Sequence, residues 1–188
     1  MQLHAEPTSI RDVYLVKGDF FEDHRGFFTE VWRADQSEAL GLPSSFVQLN
    51  HSGSVRGVTR GLHFQWDPPM GKLMRVTQGE AFLVAVDIRK NSPTLGQSVT
   101  IVAGAKNRMQ LYAPAGFARG FSVLSDFAEL QYLTTGVYNS KAESGIRYDD
   151  PALAIAWPIA NPILSDKDVG AQTLAEWLER PESNHFTY

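Results

Sequence analysis

A mainly β fold, with two sheets packed as a sandwich or barrel, is predicted by three observations. From Phe46 onward the chain falls into short runs rich in Val, Phe, Tyr, Thr and Leu, parted by turn residues, the pattern of a sandwich or barrel. Residues 81–88, AFLVAVDI, and 121–124, FSVL, are apolar at consecutive positions, which points to burial on both faces. Two packed sheets supply that burial. With 188 residues, 43% of them hydrophobic, and no linker, repeat or low-complexity tract, the chain reads as one domain over residues 1–188.

Taken in order, residues 10–16, IRDVYLV, read as a strand, and DHRGFF holds a turn leading into FTEVW. Asp35 and Glu38 have the spacing of a capping box and Gly41 stands where a C-terminal cap belongs, so 35–41 is predicted as a short helix. Strands follow at 46–52, 61–65, 72–77, 81–88, 97–103, 108–113, 120–124 and 127–138. Gln78-Gly79 suits a tight hairpin, and SPTLG and PAGF carry the proline and glycine that reversals need. Beyond Ser140, residues Pro151, Pro158 and Pro162 forbid long helices and central strands, leaving an irregular wrap. Ala171, Leu174, Trp177 and Leu178 then recur at helical spacing, so 172–180 is an amphipathic C-terminal helix. The tail PESNHFTY is expected to be exposed. Trp66, Trp157 and Trp177 read as packing residues.

The net charge of −4 gives no global basic field to recruit nucleic acid or an anionic membrane, so an anionic ligand must be held by local cations. There is no cysteine, which excludes disulfides and thiolate metal sites and agrees with a reducing compartment. The N-terminus lacks a basic start followed by an apolar run, and no apolar stretch approaches the ~18 residues of a membrane span. A cytoplasmic protein without a membrane or nucleic-acid partner is the expectation.

One stretch stands apart. Residues 56–80, RGVTRGLHFQWDPPMGKLMRVTQGE, put Arg60, His63, Gln65 and Lys72 among side chains that want a core. In a strand His63 and Gln65 point away from Leu62 and Phe64, and Lys72 at the start of the next run can face the same space. Burying several unpaired polar groups costs about 2 kcal/mol or more apiece. A polar cavity inside a β-barrel relieves that cost. The alternation of strands, one histidine and a proline-glycine turn resembles the cupin superfamily, whose metal-binding members carry an HxH pair and a later histidine. Here those positions are His63-Phe64-Gln65 and Arg119, and an arginine does not ligate a divalent metal. No metal site is expected.

The segments DHRGFFTE (23–30), QLNHS (48–52), RGLHFQ (60–65), GKLMRV (71–76), VDIRKNSPTLG (86–96), PAGFARGF (114–121), YDDPALAIAWP (148–158) and ILSDKD (163–168) resemble, in order, the signature blocks of the dTDP-4-dehydrorhamnose 3,5-epimerase family. Each block alone is weak; together they span nearly the whole chain. The resemblance implies a cupin-type jelly-roll β-sandwich with short flanking helices, a homodimer, a nucleotide-linked 4-keto-6-deoxyhexose as substrate, and no metal or organic cofactor. It implies His63 as base, Asp168 as its partner, Lys72 beside the sugar ketone and Tyr132 as proton donor. Arg25, Glu30, Gln48, Asn50, Arg60, Arg119, Glu143 and Lys167 fall at substrate-binding positions, and Tyr138 matches the residue that stacks on thymine. Arg119 departs from the family pattern PxGFAHGF, where a histidine contacts substrate. It is expected to grip the diphosphate, to pair with an acid such as Glu143, or to mark a different sugar, a different nucleotide or epimerisation at only one carbon.

The residue types suit that chemistry on their own terms. Removing a proton next to a ketone creates an enolate, which needs a base near neutral pKa and a cation or donor at the oxygen. Histidine as a residue type titrates near 6.5. A carboxylate on its other ring nitrogen fixes the tautomer. Tyr132 and Tyr138 share strand parity, so an unbroken strand puts both rings on one face. Plainer readings stay open for each: Tyr132 as core, Asp168 as a helix cap, Lys72 as a solvated strand end, and Arg25 and Arg60 in surface salt bridges. Epimerisation at one carbon, 3,4-ketoisomerisation, and a non-catalytic carbohydrate-binding cupin are the alternatives to a 3,5-epimerase.

Overall fold

The computed structural model describes residues 1–188. Its strands are β1 (Leu3–Pro7), β2 (Tyr14–Gly18), β3 (Phe20–Asp23), β4 (Gly26–Thr29), β5 (Gln48–Val55), β6 (Thr59–Gln65), β7 (Lys72–Gln78), β8 (Glu80–Asp87), β9 (Ser98–Gly104), β10 (Gln110–Ala113), β11 (Phe117–Val123), β12 (Phe127–Thr134) and β13 (Glu143–Gly145). Six strands form the larger sheet in the order β1-β2-β10-β7-β12-β5, five form the smaller in the order β13-β6-β11-β8-β9, and β3 and β4 make a separate hairpin.

The consecutive apolar positions of β8 explain the layering. Leu83 and Ala85 pack between the sheets with Met74, Leu111, Phe117, Phe121 and Leu130. Val84, Val86 and Ile88 pack on the other side with Leu62, Phe64, Trp66, Leu153, Leu174 and Trp177. The smaller sheet is therefore buried on both faces, one against its partner sheet and one under the proline-rich wrap. That wrap carries α2 (Asp166–Val169) and α3 (Leu174–Glu179). Thr173 and Glu176 close a capping box on α3, and Trp177 is fully buried with its ring 4.5 Å from that of Phe64.

Several local expectations are corrected. Gln78 and Gly79 do not close a hairpin, because β7 pairs with β10 and β12 while β8 pairs with β9 and β11. The turn instead carries the chain from one sheet to the other. A side chain at position 79 would sit 2.2 Å from the Phe127 carbonyl, and φ there is +73°, so glycine answers both demands. The Asp35–Glu38 box does not form: Asp35 pairs with Arg33 at 2.7 Å, and α1 (Ala34–Ser37) passes at once into a 3₁₀ turn ending at Gly41, φ +77°. The strand predicted over 127–138 stops at Thr134. The tail is not all exposed, since 181–185 form a 3₁₀ turn that buries Ser183 and Phe186 follows into the core.

Candidate active site

Between the sheets lies a cavity of about 210 Å³ lined by Ser52, Arg60, His63, Lys72, Met74, Arg119, Gly120, Phe121, Leu130 and Tyr132. His63, Arg60 and Arg119 come from β6 and β11 of the smaller sheet, while Lys72, Tyr132 and Ser52 come from β7, β12 and β5 of the larger. Strand alternation delivers His63 here, with Leu62 and Phe64 turned into the opposite core. Arg60 has the parity of Leu62. It reaches the cavity because β11 and β6 slip register, with Arg119 opposite His63 but Phe121 opposite Arg60. Such an irregularity re-aims a side chain. Gly61 sits at the slip with φ +112°, where a Cβ would lie 2.7 Å from the Arg119 carbonyl oxygen.

Asp168 on α2 meets His63 at 2.5 Å, from its Oδ1 to the ring Nε2. It is 4% exposed. Its Oδ2 accepts from the Ser165 hydroxyl at 2.9 Å, and its main-chain N–H donates back to Ser165 Oγ at 3.2 Å. Ser165 is thus the helix cap, and Asp168 is free for the imidazole. Burial raises the Asp168 pKa, but hydrogen bonds from His63, Ser165 and the Gly61 N–H outweigh it, so the net shift is downward. The ionised carboxylate has only acceptors. The bonded ring nitrogen therefore carries a proton, and in the neutral imidazole Nδ1 is the acceptor.

Lys72 makes no ion pair; its Nζ lies 5.2 Å from the centre of the Tyr132 ring. Loss of hydration, with the charges of Arg119 and Lys167 against that of Glu143, brings its pKa down to about 7. Burial and Glu143, opposed by Arg60, push the Tyr132 pKa up, so its hydroxyl keeps its proton at neutral pH. Arg60 is held by Ser54 Oγ at 3.2 and 3.0 Å. Arg119 lines the cavity but does not pair with Glu143, one of the readings open to it; it donates to the carbonyls of Ala113, Pro114 and Met70.

A second group forms a polar cluster outside the cavity lining. Lys167 Nζ and the Tyr138 hydroxyl both donate to Glu143 Oε1, at 2.5 and 2.6 Å. Gln48 donates to Asn50 Oδ1 at 2.9 Å and accepts from the Tyr138 N–H at 2.9 Å. Tyr138 lies past the end of β12, so its parity with Tyr132 does not hold, and it is half exposed. Glu143 stands opposite Gln65 in the β13–β6 pair, two residues from the His63 position. Arg25 and Glu30 are not brought to the cavity. Arg25 pairs with Asp23 on the exposed hairpin. Glu30 lines a separate hollow of about 100 Å³ with Arg75, Arg108 and Gln110, which contains no histidine.

Sequence reasoning missed Ser52 and Ser54. Both share the parity of Gln48 and Asn50 along β5, so the signal was present. Ser52 Oγ is buried without a partner in the cavity wall, and Ser54 is the support of Arg60. No cluster of three or more His, Cys, Asp or Glu side chains suited to a metal ion occurs.

This two-sheet sandwich with a polar cavity between its sheets is a cupin-type jelly roll. Its His-Asp pair adjoins a lysine, two arginines and a tyrosine in that cavity. The family model described as dTDP-4-dehydrorhamnose 3,5-epimerase matches residues 7–176. A Shigella flexneri protein of that name is 48% identical over 171 residues, covering 90% of this chain and 94% of its own. The crystal structure of dTDP-6-deoxy-D-glucose-3,5-epimerase RmlC from Legionella pneumophila, in complex with dTDP-4-keto-L-rhamnose, matches with a TM-score of 0.92 at 42% identity over 97% of each chain. A dTDP-4-dehydrorhamnose 3-epimerase from Streptomyces niveus is 38% identical over 176 residues, 93% of this chain and 85% of its own. The chain belongs to the dTDP-4-dehydrorhamnose 3,5-epimerase family and is an isomerase of the epimerase type.

Proposed function

We propose that the chain inverts C3 and C5 of a dTDP-linked 4-keto-6-deoxyhexose. The observation that carries this reading is the opposition of His63 and Tyr132 across one cavity, each on a different sheet. His63 Nδ1 takes the proton from the carbon next to the ketone, and Asp168 holds the ring and faces the imidazolium that forms. The electron pair moves to the ketone oxygen, where Lys72 stands as the stabilising group. Tyr132 then gives its hydroxyl proton to the opposite face of the carbon, and exchange with solvent restores both residues. Inversion follows because the two protons travel on opposite sides.

In this reading Arg60, Gln48, Asn50, Glu143 and Lys167 bind the nucleotide-sugar, and Tyr138, half exposed beside them, stacks on the base. A homodimer and a cytoplasmic location belong to the same proposal. Arg25 and Glu30 lie off the cavity, and the hairpin that bears Arg25 exposes Phe21, Phe27 and Phe28 by about 60%. A surface of that kind suits contact with a second copy.

The test is incubation with the 4-keto sugar nucleotide in D2O, followed by NMR. Deuterium at both C3 and C5 is the expected result. Incorporation at one carbon favours the mono-epimerase reading, to which the Streptomyces niveus relative lends weight, and none leaves a binding protein. Tyr132→Phe is expected to exchange deuterium while forming little inverted product; normal epimer from that variant removes Tyr132 as the donor.

A further inference from the structure

Arg119 is 3% exposed and stands opposite His63 in the β11–β6 register. Its terminal nitrogens donate to the carbonyls of Ala113 at 3.2 Å, Pro114 at 2.9 Å and Met70 at 2.9 Å, and its Nε has no partner. Three carbonyl dipoles fix the position of the charge without cancelling it. The carboxylates of the site are committed elsewhere, Asp168 to His63 and Glu143 to Lys167. Burial brings the Arg119 pKa down to about 9, so it is still a cation at neutral pH. Lys72, on the facing sheet, lines the same cavity. Two basic side chains thus line one cavity from opposite sheets, and no carboxylate is among its lining residues.

We propose that Arg119 is a positioning residue that acts through Lys72: a fixed cation makes a second positive charge beside it unfavourable at rest and favourable once the enolate oxygen turns negative. The pair then stabilises the reacting state more than the resting one, which is the requirement for faster chemistry. This rests on the reading of the cavity as an epimerase centre. The charged and titratable groups that share the cavity with Lys72 are Arg60, His63, Arg119 and Tyr132, with the Tyr132 ring 5.2 Å from its Nζ, and Lys167 and Glu143 also act on its charge. Lys167 is half exposed and paired with Glu143, so solvent and a carboxylate screen it. Arg60 also lines the cavity but is exposed, so solvent screens it as well; Arg119, buried, is the like charge that neither solvent nor a carboxylate screens.

Lysine-selective 13C NMR across pH, with Lys72→Arg assigning the resonance, follows the Lys72 charge directly. The wild-type midpoint is expected near neutrality, to rise by about one unit in Arg119→Gln, and to stay in Arg119→Lys. The limb of the kcat/KM profile governed by Lys72 is expected to move with it. A wild-type midpoint near the free-lysine value of about 10.4 overturns the proposal, as does a midpoint unmoved in Arg119→Gln. Should that variant not fold, Arg119→His, neutral above pH ~7.5, carries the same expectation. The titration needs no turnover. Absent deuterium exchange with a shifted Lys72 therefore defeats the epimerase reading and leaves the coupling standing.

Discussion

The wall of the cavity and the polar cluster outside it use similar residues, held in different ways. His63, Lys72, Arg119 and Tyr132 project from β6, β7, β11 and β12, each flanked by paired strands on both sides. Their directions are set by main-chain ladders. Gln48 and Glu143 lie on the edge strands β5 and β13, Tyr138 on a loop and Lys167 on a four-residue helix, and they are oriented by hydrogen bonds to one another. A ladder fixes a side chain before substrate arrives, which suits chemistry. A side-chain network can rearrange around a ligand, which suits binding.

The sharpest way to break this division is to remove the base. His63→Ala is expected to lower the rate of deuterium incorporation by roughly 10²–10⁴-fold, the range for a positioned acid-base group, with little change in nucleotide affinity. A rate within tenfold of wild type dissolves the distinction.

Next in size is a contrast in stability within the wall itself. Lys72 titrates at about 7 in the folded chain and near 10.4 when unfolded. Between those values the unfolded chain binds the extra proton, so this group's contribution to stability rises with pH and is lost below about 7. Lys72→Met is therefore expected to raise the Tm at pH 6 by about 2–4 °C, the response to ~1 kcal/mol, while slowing turnover. Asp168 shares that slope with pH but has the opposite effect at neutral pH, where its ionised form adds stability while the charged form of Lys72 costs it. Its folded pKa is lowered, so its contribution is present above the unfolded value of about 3.9 and lost as pH falls through the folded one. Asp168→Asn should destabilise at pH 7, by an amount that shrinks as pH falls below about 3.9. Thermal melts across pH refute the assignment if the Lys72→Met gain fails to shrink as pH rises from about 7 towards ~10, or if the Asp168→Asn loss fails to shrink below pH ~3.9.

The legible parts of the site are those that follow from strand period. His63 could be aimed from its neighbours Leu62 and Phe64, and β8 could be recognised as buried on both faces. Arg60 could not be aimed, because its direction depends on a register slip against β11, a strand far along the chain. The same limit hid the path at Gln78-Gly79: a glycine turn marks a reversal but not which sheet receives the next strand. The Asp168 contact spans 105 residues, so only resemblance pointed to it. Arg119 was visible as a departure, but its three carbonyl partners are set by how the 66–70 loop and the turn after β10 close around it. Local pattern gives faces; long-range register gives partners.

The smallest expected effect lies in the outer cluster. Lys167 and Glu143 are 2.5 Å apart with side chains 53% and 18% exposed, and exposed pairs contribute below ~1 kcal/mol. Glu143 also accepts from Tyr138, so it retains a partner when Lys167 is removed. Lys167→Ala should thus leave the Tm nearly unchanged and raise KM by less than about tenfold, or ~1.4 kcal/mol, with kcat preserved. The double variant with Glu143→Gln should show coupling within a few tenths of a kcal/mol of the stability of the pair. A fall in kcat comparable to that of His63→Ala would move Lys167 from the binding cluster into the wall, because a group that only binds acts alike on substrate and transition state.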